Sequence, residues 1–167
     1  MKQLSLLDEP EPGLAVSLEY CSPSLHSARQ AVKAGRERGV VCPCCDQLVK
    51  VYKRRINLQM ARAALWMSRT PPGQFVDMTK APASIVRNRE YSRLALWELA
   101  EAERGRNHAG AKKGRWRLTK GGRLFVDNVL RVPEYILVLN GKVIDVSRET
   151  THIGRVKGFH FMETWDV

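Results

Sequence analysis

One stretch, residues 88–128, constrains the fold of this chain more than any other. Apolar side chains recur at helical spacing over residues 89–103, and this periodicity predicts an amphipathic helix. A basic, glycine-containing loop follows at residues 104–114. Polar and apolar residues then alternate over 115–118, which is typical of a short strand. The stretch therefore predicts a helix, a hairpin loop and a strand in succession.

The same stretch holds most of the positive charge of the chain. From Glu103 to Arg123 there are eight Lys and Arg residues against one Glu, a local net charge of +7 where the whole chain has +11. A charge run is usually a solvated face, but this one is concentrated on a predicted hairpin. Contact with nucleic acid is therefore the leading interpretation, since cationic patches of this kind attract phosphate.

The elements before this stretch give it a familiar order. Asn57 predicts the cap of a helix over 58–69, which is followed by two prolines and a glycine. A short strand is expected at 75–78 and a brief helix at about 82–87. The order helix, strand, short helix, helix, hairpin and strand is that of a winged-helix domain, here over residues 56–131.

A winged helix usually places its third helix in the major groove and its hairpin wing on the backbone or minor groove. The predicted interface is therefore the start of helix 89–103 together with the basic wing, 104–117. Its candidate nucleic-acid-binding residues are Arg87, Arg89, Ser92, Arg93, Arg104, Arg106, His108, Lys112, Lys113, Arg115 and Arg117.

Other residues of the stretch are expected to serve the fold. Glu98, Glu101 and Glu103 lie farther along the predicted helix and are expected to face away from phosphate. Trp97 and Trp116 are predicted core residues rather than stacking platforms, because their neighbours alternate between apolar and charged.

The N-terminal part is organised differently. Residues 1–20 are predicted to form a loose acidic arm, since prolines and a glycine interrupt them. Ser22 or Ser24 can cap a helix through 25–38 that ends at Gly39. This helix has few apolar residues, which favours a surface position.

A cysteine-rich turn follows this helix within the segment 21–55. Two short apolar runs, 40–41 and 48–51, flank the sequence Cys-Pro-Cys-Cys and predict two strands around a tight turn. Cys42 and Cys45 have the Cys-x-x-Cys spacing of a zinc knuckle, in which two sulfurs bind one tetrahedral ion at about 2.3 Å.

Zinc is the cofactor that this pattern suggests, but a single knuckle supplies half of a site. Cys21 and His26 are the first candidates to complete it. Cys44, His152, His160 or a second subunit are alternatives. The thiols could also be small buried side chains without metal, and a thioredoxin-like redox motif is less favoured because no helix pattern follows.

Three further segments complete the chain. Lys50–Arg55 interleaves cations with one aromatic residue and is either a second phosphate-contacting edge or a solvated connection. Within the predicted C-terminal hairpin and tail, 132–167, two alternating runs flank Asn140-Gly141, the favoured pair of a type I′ hairpin turn. A brief helix capped by Thr150 or Thr151 and running to Gly158 is expected next. Aromatic residues then form a tail that packs on the body or contacts a partner: Phe159, Phe161 and Trp165.

The sequence argues against several functional classes. It contains no glycine-rich phosphate loop, no zinc-protease motif, no nucleophile elbow and no positioned carboxylate pair, so we expect no enzymatic activity. No apolar run approaches the ~18–20 residues that span a bilayer, and the acidic start lacks a signal-peptide pattern. We therefore expect a cytoplasmic protein with reduced thiols and no membrane partner.

Several motifs in this order resemble a group of uncharacterised small proteins from tailed phages of actinobacteria. The resemblance covers about residues 28–161 and rests on the helix before CPCC and on three segments, VKVYKRRIN followed by ARA, GRWRLTKGGRLFV, and VPEYILVLNGKVI. It implies a phage origin and a winged-helix-like fold, and it adds no catalytic residues. Cys21 and His26 have no place in the pattern of that group.

The sequence thus predicts an α+β fold, with a winged-helix domain preceded by a small zinc-knuckle-like hairpin and followed by a C-terminal β-hairpin. Two functions remain open. One is a DNA-binding transcription regulator acting on double-stranded DNA, for which a homodimer would be common. The other is a phage inhibitor or modulator that binds a host polymerase, nuclease or anti-phage defence complex through the same basic surface.

Overall fold

The computed structural model describes residues 24–103 and 114–161. This part of the chain is a mixture of four α-helices and several small antiparallel sheets, so the α+β class is confirmed. Some predicted features lie outside the described residues, namely the acidic arm 1–20, Cys21, Arg104, Arg106, His108, Lys112, Lys113 and Trp165. No helix in the described ranges has the length and apolar character that crossing a membrane requires.

The two longest α-helices begin at caps that the sequence marks. Helix α1, Leu25–Gly35, starts at Ser24, whose Oγ accepts the Ser27 N–H at 3.2 Å. Helix α2, Leu58–Ser68, starts at Asn57, whose Oδ1 accepts the Met60 N–H at 2.9 Å. Such caps satisfy amide groups that the first turn of a helix leaves unpaired. Helix α1 ends three residues earlier than predicted, and turns lead from it to Gly39.

The central sheet contains strands β4, Val76–Asp77, β5, Ala100–Ala102, and β6, Arg115–Leu118, in the order β4-β6-β5. Strand β6 is antiparallel to both neighbours, with Val76 opposite Trp116 and Ala100 opposite Leu118. Helix α3, Ala83–Val86, lies between β4 and β5 in the chain, and helix α4, Lys120–Val126, follows β6. Thr119 caps α4 through a 3.0 Å bond from the Gly122 N–H.

The predicted helix 89–103 is wrong in its extent and its type. Residues 87–97 form 3₁₀-type turns, interrupted by left-handed Asn88 and Arg89. Glu98 is again left-handed, with φ of 58°, and strand β5 follows. Pairing of β5 with β6 prevails here over the good helix propensity of the local sequence.

One apolar core joins α2 to the central and C-terminal sheets. The buried side of α2, including Met60 and Met67, lies in the same apolar cluster as Leu94, Phe125 and Ile136. Both predicted core tryptophans pack there. Trp97 is 8% exposed and donates its Nε1–H to the Pro133 carbonyl at 3.0 Å, and partly buried Trp116 meets the Tyr91 ring edge-on at 5.6 Å.

The C-terminal sheet includes one strand that precedes α2 in the chain. Strand β3, Tyr52–Arg55, pairs with β8, Tyr135–Leu139, which pairs with β9, Lys142–Val146. The β8–β9 turn has positive φ at both Asn140 and Gly141, so the predicted type I′ hairpin is confirmed.

Two shorter strand pairs complete the described structure. Strands β1, Val40–Val41, and β2, Leu48–Val49, form the predicted cysteine-containing hairpin. Strand β7, Val132–Pro133, pairs with β10, Thr150–Thr151. The helix predicted from Thr150 or Thr151 is therefore wrong, because these threonines belong to a strand pair, and a single 3₁₀ turn, Ile153–Arg155, follows.

Candidate nucleic-acid interface

The turn after α3 carries two of the predicted arginines. Arg87 ends α3, and the left-handed backbone of Asn88 and Arg89 kinks the chain before the next 3₁₀ turn. Arg87 and Arg89 are both exposed. Neither makes an ion pair with another described residue, so their charge is available to an anionic partner. We call Arg87 and Arg89 the turn arginines.

Ser92 and Arg93 lie on the same segment but are more constrained. The Arg93 Nη1 group donates to both carboxylate oxygens of Glu90, at 2.6 and 2.7 Å. Glu90 also accepts a 3.1 Å bond from the Asn57 amide, which connects this segment to the start of α2. Ser92 donates its hydroxyl to the Arg89 carbonyl at 2.9 Å, so its conformation supports the turn.

The arginines of strand β6 are engaged by the protein itself. Arg115 pairs with Glu103 at 3.3 Å and donates to the Phe75 carbonyl at 3.2 Å. Arg117 pairs with Glu101 at 2.7 Å, donates to the Gly73 carbonyl at 2.9 Å, and lies over the Phe75 ring at 4.5 Å. We call Arg115 and Arg117 the strand arginines.

These pairs place Glu101 and Glu103 beside two arginines of the predicted interface, and the expectation that the glutamates face away from phosphate stays a prediction. Both belong to the β5 side of the hairpin, and Glu101 lies directly across from Arg117 in the strand register. The charge of the hairpin base is therefore balanced by cross-strand pairs. The two strands lead into the loop 104–113, whose sequence holds further cations.

Arg123, which belongs to the same basic stretch of sequence, also serves the fold. Its guanidinium donates to the carbonyls of Ser68 and Thr70 at the C-terminal end of α2, at 3.2 and 2.5 Å. A cation at this end of a helix complements the partial negative charge of the last carbonyls. Arg123 thus ties α4 to α2.

A second cationic surface could be predicted only in part. Lys50, Tyr52 and Arg54 line a groove of about 310 Å³ together with Arg93 and Leu96. The sequence pattern indicates the cationic run Lys50–Arg55. It does not indicate that this run lies next to the segment that follows α3. That arrangement depends on the pairing of β3 with β8, for which no local sequence signal exists.

The turn of the cysteine hairpin is closed by two backbone hydrogen bonds. The Cys42 N–H donates to the Gln47 carbonyl at 2.8 Å, and the Asp46 N–H returns to the Cys42 carbonyl at 2.9 Å. The Cys44 N–H, together with the Cys45 thiol, lowers the pKa of the Cys42 thiol by hydrogen bonding to its sulfur. Loss of solvation in the turn, followed by the nearby charge of Cys42, raises the pKa of Cys44.

Two of the histidines considered as metal ligands, His26 and His152, form hydrogen bonds with other side chains. Within residues 24–103 and 114–161, no group of three His, Cys, Asp or Glu side chains is placed to hold a metal ion. A His26 ring nitrogen bonds the Gln30 amide at 2.8 Å, and the His152 Nδ1 lies 2.5 Å from the Asn128 Oδ1.

Comparison of the chain with models of protein families, with curated proteins and with solved structures gives no match.

Proposed function

We propose that this chain is a winged-helix DNA-binding protein of phage origin that regulates transcription in the host cytosol. The observation that carries the proposal is the sheet order β4-β6-β5 following α2 and flanking α3. A winged helix needs this arrangement, since its wing is the hairpin between the last two strands. Here that hairpin leads into a loop with Arg104, Arg106, Lys112 and Lys113.

In this proposal the arginines have two distinct roles. The turn arginines contact DNA at the start of the third helical segment, and the cations of the loop 104–113, with His108, contact the backbone as a wing. The strand arginines stabilise the hairpin through their bonds to Glu101, Glu103 and the 73–75 segment. Ser92 and Arg93 support the turn.

The first test is fluorescence anisotropy on a mixed-sequence duplex at low and moderate salt. Binding should weaken with a log–log slope of about −0.9 for each phosphate neutralised. Lys112→Glu with Lys113→Glu should abolish most of the affinity. Arg155→Glu with Lys157→Glu, which removes the same charge from an exposed C-terminal turn, should have a much smaller effect.

The result that would overturn the proposal is absence of duplex binding at low salt by a protein that melts cooperatively. Equal losses of affinity in the two double variants would also contradict it. The residues of the basic wing would then act only through the net charge of the protein.

Zinc belongs to the proposal as a structural ion at the knuckle. Cys42 and Cys45 would supply two thiolates, and the amide hydrogen bonds to Cys42 favour its thiolate form. Cys21 with His26, or a second subunit in a homodimer, would complete the site. Elemental analysis should give one zinc per chain, lost in Cys42→Ser and Cys45→Ser but retained in Cys44→Ser. Equal zinc content in all three variants would exclude the knuckle.

A second function, binding to a host protein, is favoured by one specific feature. All five residues of β9 are exposed, and three of them are large and apolar, Val143, Ile144 and Val146. An exposed apolar strand edge is a common protein-binding surface. Capture of a single host polymerase, nuclease or defence protein that survives nuclease treatment, and is lost in Ile144→Lys, would favour this function.

A further inference from the structure

The groove beside strand β3 combines an aromatic ring with positive charge. Strand β3, the segment 87–97 and the β8–β9 turn border it, and the cysteine hairpin contributes Leu48. Its volume, about 310 Å³, is at the lower end of the ~300–1,000 Å³ typical of small-molecule sites. This space suits one nucleotide and is too small for a duplex.

Tyr52 provides an exposed aromatic surface in this groove. The residue is 43% exposed, and the Arg54 guanidinium lies 5.0 Å from the ring centroid. One guanidinium can cover a single face of the ring, which leaves the other face for a planar partner. Leu48, which is 62% exposed, and half-buried Leu96 add apolar surface nearby.

The charged side chains that line the groove are all cationic. Lys50, Arg54 and Arg93 line it, and no acidic side chain is among its described lining residues. Arg93 is held in place by Glu90 through one of its two terminal nitrogens. Aromatic surface interleaved with cations in a narrow groove is the combination that binds single-stranded nucleic acid, because bases stack while phosphates are neutralised.

The opposite face of the same strand provides a contrast. Lys53 and Arg55 alternate with the groove residues, and both are engaged by the protein. The Lys53 Nζ lies 3.7 Å from the centroid of the Tyr135 ring, and Arg55 pairs with Glu134 at 3.3 Å. Strand β3 thus carries Lys53 and Arg55, which stay exposed while contacting Tyr135 and Glu134, on one face, and Tyr52 with Arg54 on the face that lines the groove.

We propose that the groove binds an unpaired nucleotide of single-stranded DNA that continues from the duplex surface. The base stacks on Tyr52, and Lys50 and Arg54 contact the adjoining phosphates, while Arg93, whose charge is paired with Glu90, borders the site. Arg93 belongs both to the groove and to the segment that begins at the turn arginines, so the two surfaces share this segment of the chain. The inference rests on the proposed function in so far as both require DNA binding, and it adds a preference for duplexes with a single-stranded extension.

The test compares three labelled probes by anisotropy, a blunt duplex, the same duplex with a single-stranded extension, and an oligothymidine of about 15 nucleotides. Tyr52→Ala should weaken binding of the extended duplex and of the oligothymidine by about 5- to 100-fold, as expected for loss of one base–aromatic stack. Tyr52→Phe should retain binding, since the ring remains. Tyr135→Ala is the matched control on the other face and should bind nearly as well as the natural chain.

The outcomes separate this inference from the proposed function. Loss of single-strand binding in Tyr52→Ala with blunt-duplex binding intact supports the groove, even if the wing variants show that the duplex proposal fails. Unchanged single-strand binding in Tyr52→Ala overturns the groove and leaves the duplex proposal standing. Equal weakening by Tyr52→Ala and Tyr135→Ala also overturns it, because a general loss of stability would then explain both.

Discussion

The turn arginines and the strand arginines are the same residue type within one basic stretch, yet the fold treats them differently. Arg87 and Arg89 are exposed at a kink in the backbone, and neither has an ion-pair partner among the described residues. Arg115 and Arg117 each bond a carboxylate and a main-chain carbonyl. A local count of charges therefore overstates the charge that a partner can contact. Substitutions that separate stability from affinity would sharpen this comparison.

The largest expected effect lies at the junction that holds the hairpin in place. A Cβ at Gly122 would overlap the Leu99 carbonyl oxygen, a backbone atom directly before β5. Gly122→Ala should therefore reduce the free energy of unfolding by roughly 3 kcal/mol or more, above the usual cost of overpacking. Chemical denaturation monitored by circular dichroism measures the change.

Gly121→Ala is the matched control for that substitution. The nearest atom to its Cβ would be 3.5 Å away, an ordinary van der Waals distance, and alanine favours a helix over glycine. Stability should stay within about 1 kcal/mol of the natural chain. Similar losses in the two variants would mean that α4 does not closely approach the residue before β5.

The next effect concerns the strand arginines. Arg117→Ala removes a bond to Gly73, a pair with Glu101 and an interaction with the Phe75 ring. Because the group is about one-third exposed, we expect a loss of roughly 1–2 kcal/mol in the free energy of unfolding. Arg87→Ala should change stability by less than about 0.5 kcal/mol. Denaturation midpoints at one salt concentration decide between these outcomes, and equal losses would remove the distinction.

For affinity, the comparison should reverse. Arg87→Ala with Arg89→Ala should weaken duplex binding about tenfold at moderate salt, because two phosphates are no longer neutralised, while the melting temperature stays nearly constant. Anisotropy titration of a blunt duplex provides the measurement. Duplex affinity equal to that of the natural chain would show that the turn is not part of the interface.

The smallest expected effect tests whether Arg117 can contact DNA once its pairing with Glu101 is removed. Glu101→Gln keeps the shape of the side chain and removes its charge, so that Arg117 is no longer neutralised across the strand pair. Duplex affinity should rise about twofold, in keeping with the modest energy of an exposed ion pair. An effect of the opposite sign would indicate that this pair positions the wing.

Features governed by neighbouring residues could be predicted from the sequence. Ser24 and Asn57 cap their helices as expected, and Asn140-Gly141 forms the expected turn. Each depends on a hydrogen bond or a backbone angle within a few residues, so the local pattern contains the required information.

Features that depend on pairing between distant parts of the chain could not be predicted from the sequence. Residues 98–103 have the composition of a helix, yet Ala100–Ala102 form a strand because β6 pairs with them. The pairing of Glu101 with Arg117 crosses the hairpin, and the groove at Tyr52 requires β3 to join the hairpin that begins at Tyr135. The side-chain partners that decide which arginines remain accessible are set by this tertiary pairing, which no local pattern encodes.

The most direct test of the proposed interface is the salt dependence of duplex binding by the natural chain and by the Arg87→Ala, Arg89→Ala variant. If the turn arginines neutralise phosphates, the magnitude of the log–log slope should fall by about two in the variant, roughly one for each arginine removed. An identical slope in the two proteins, or binding that does not depend on salt, would contradict the account.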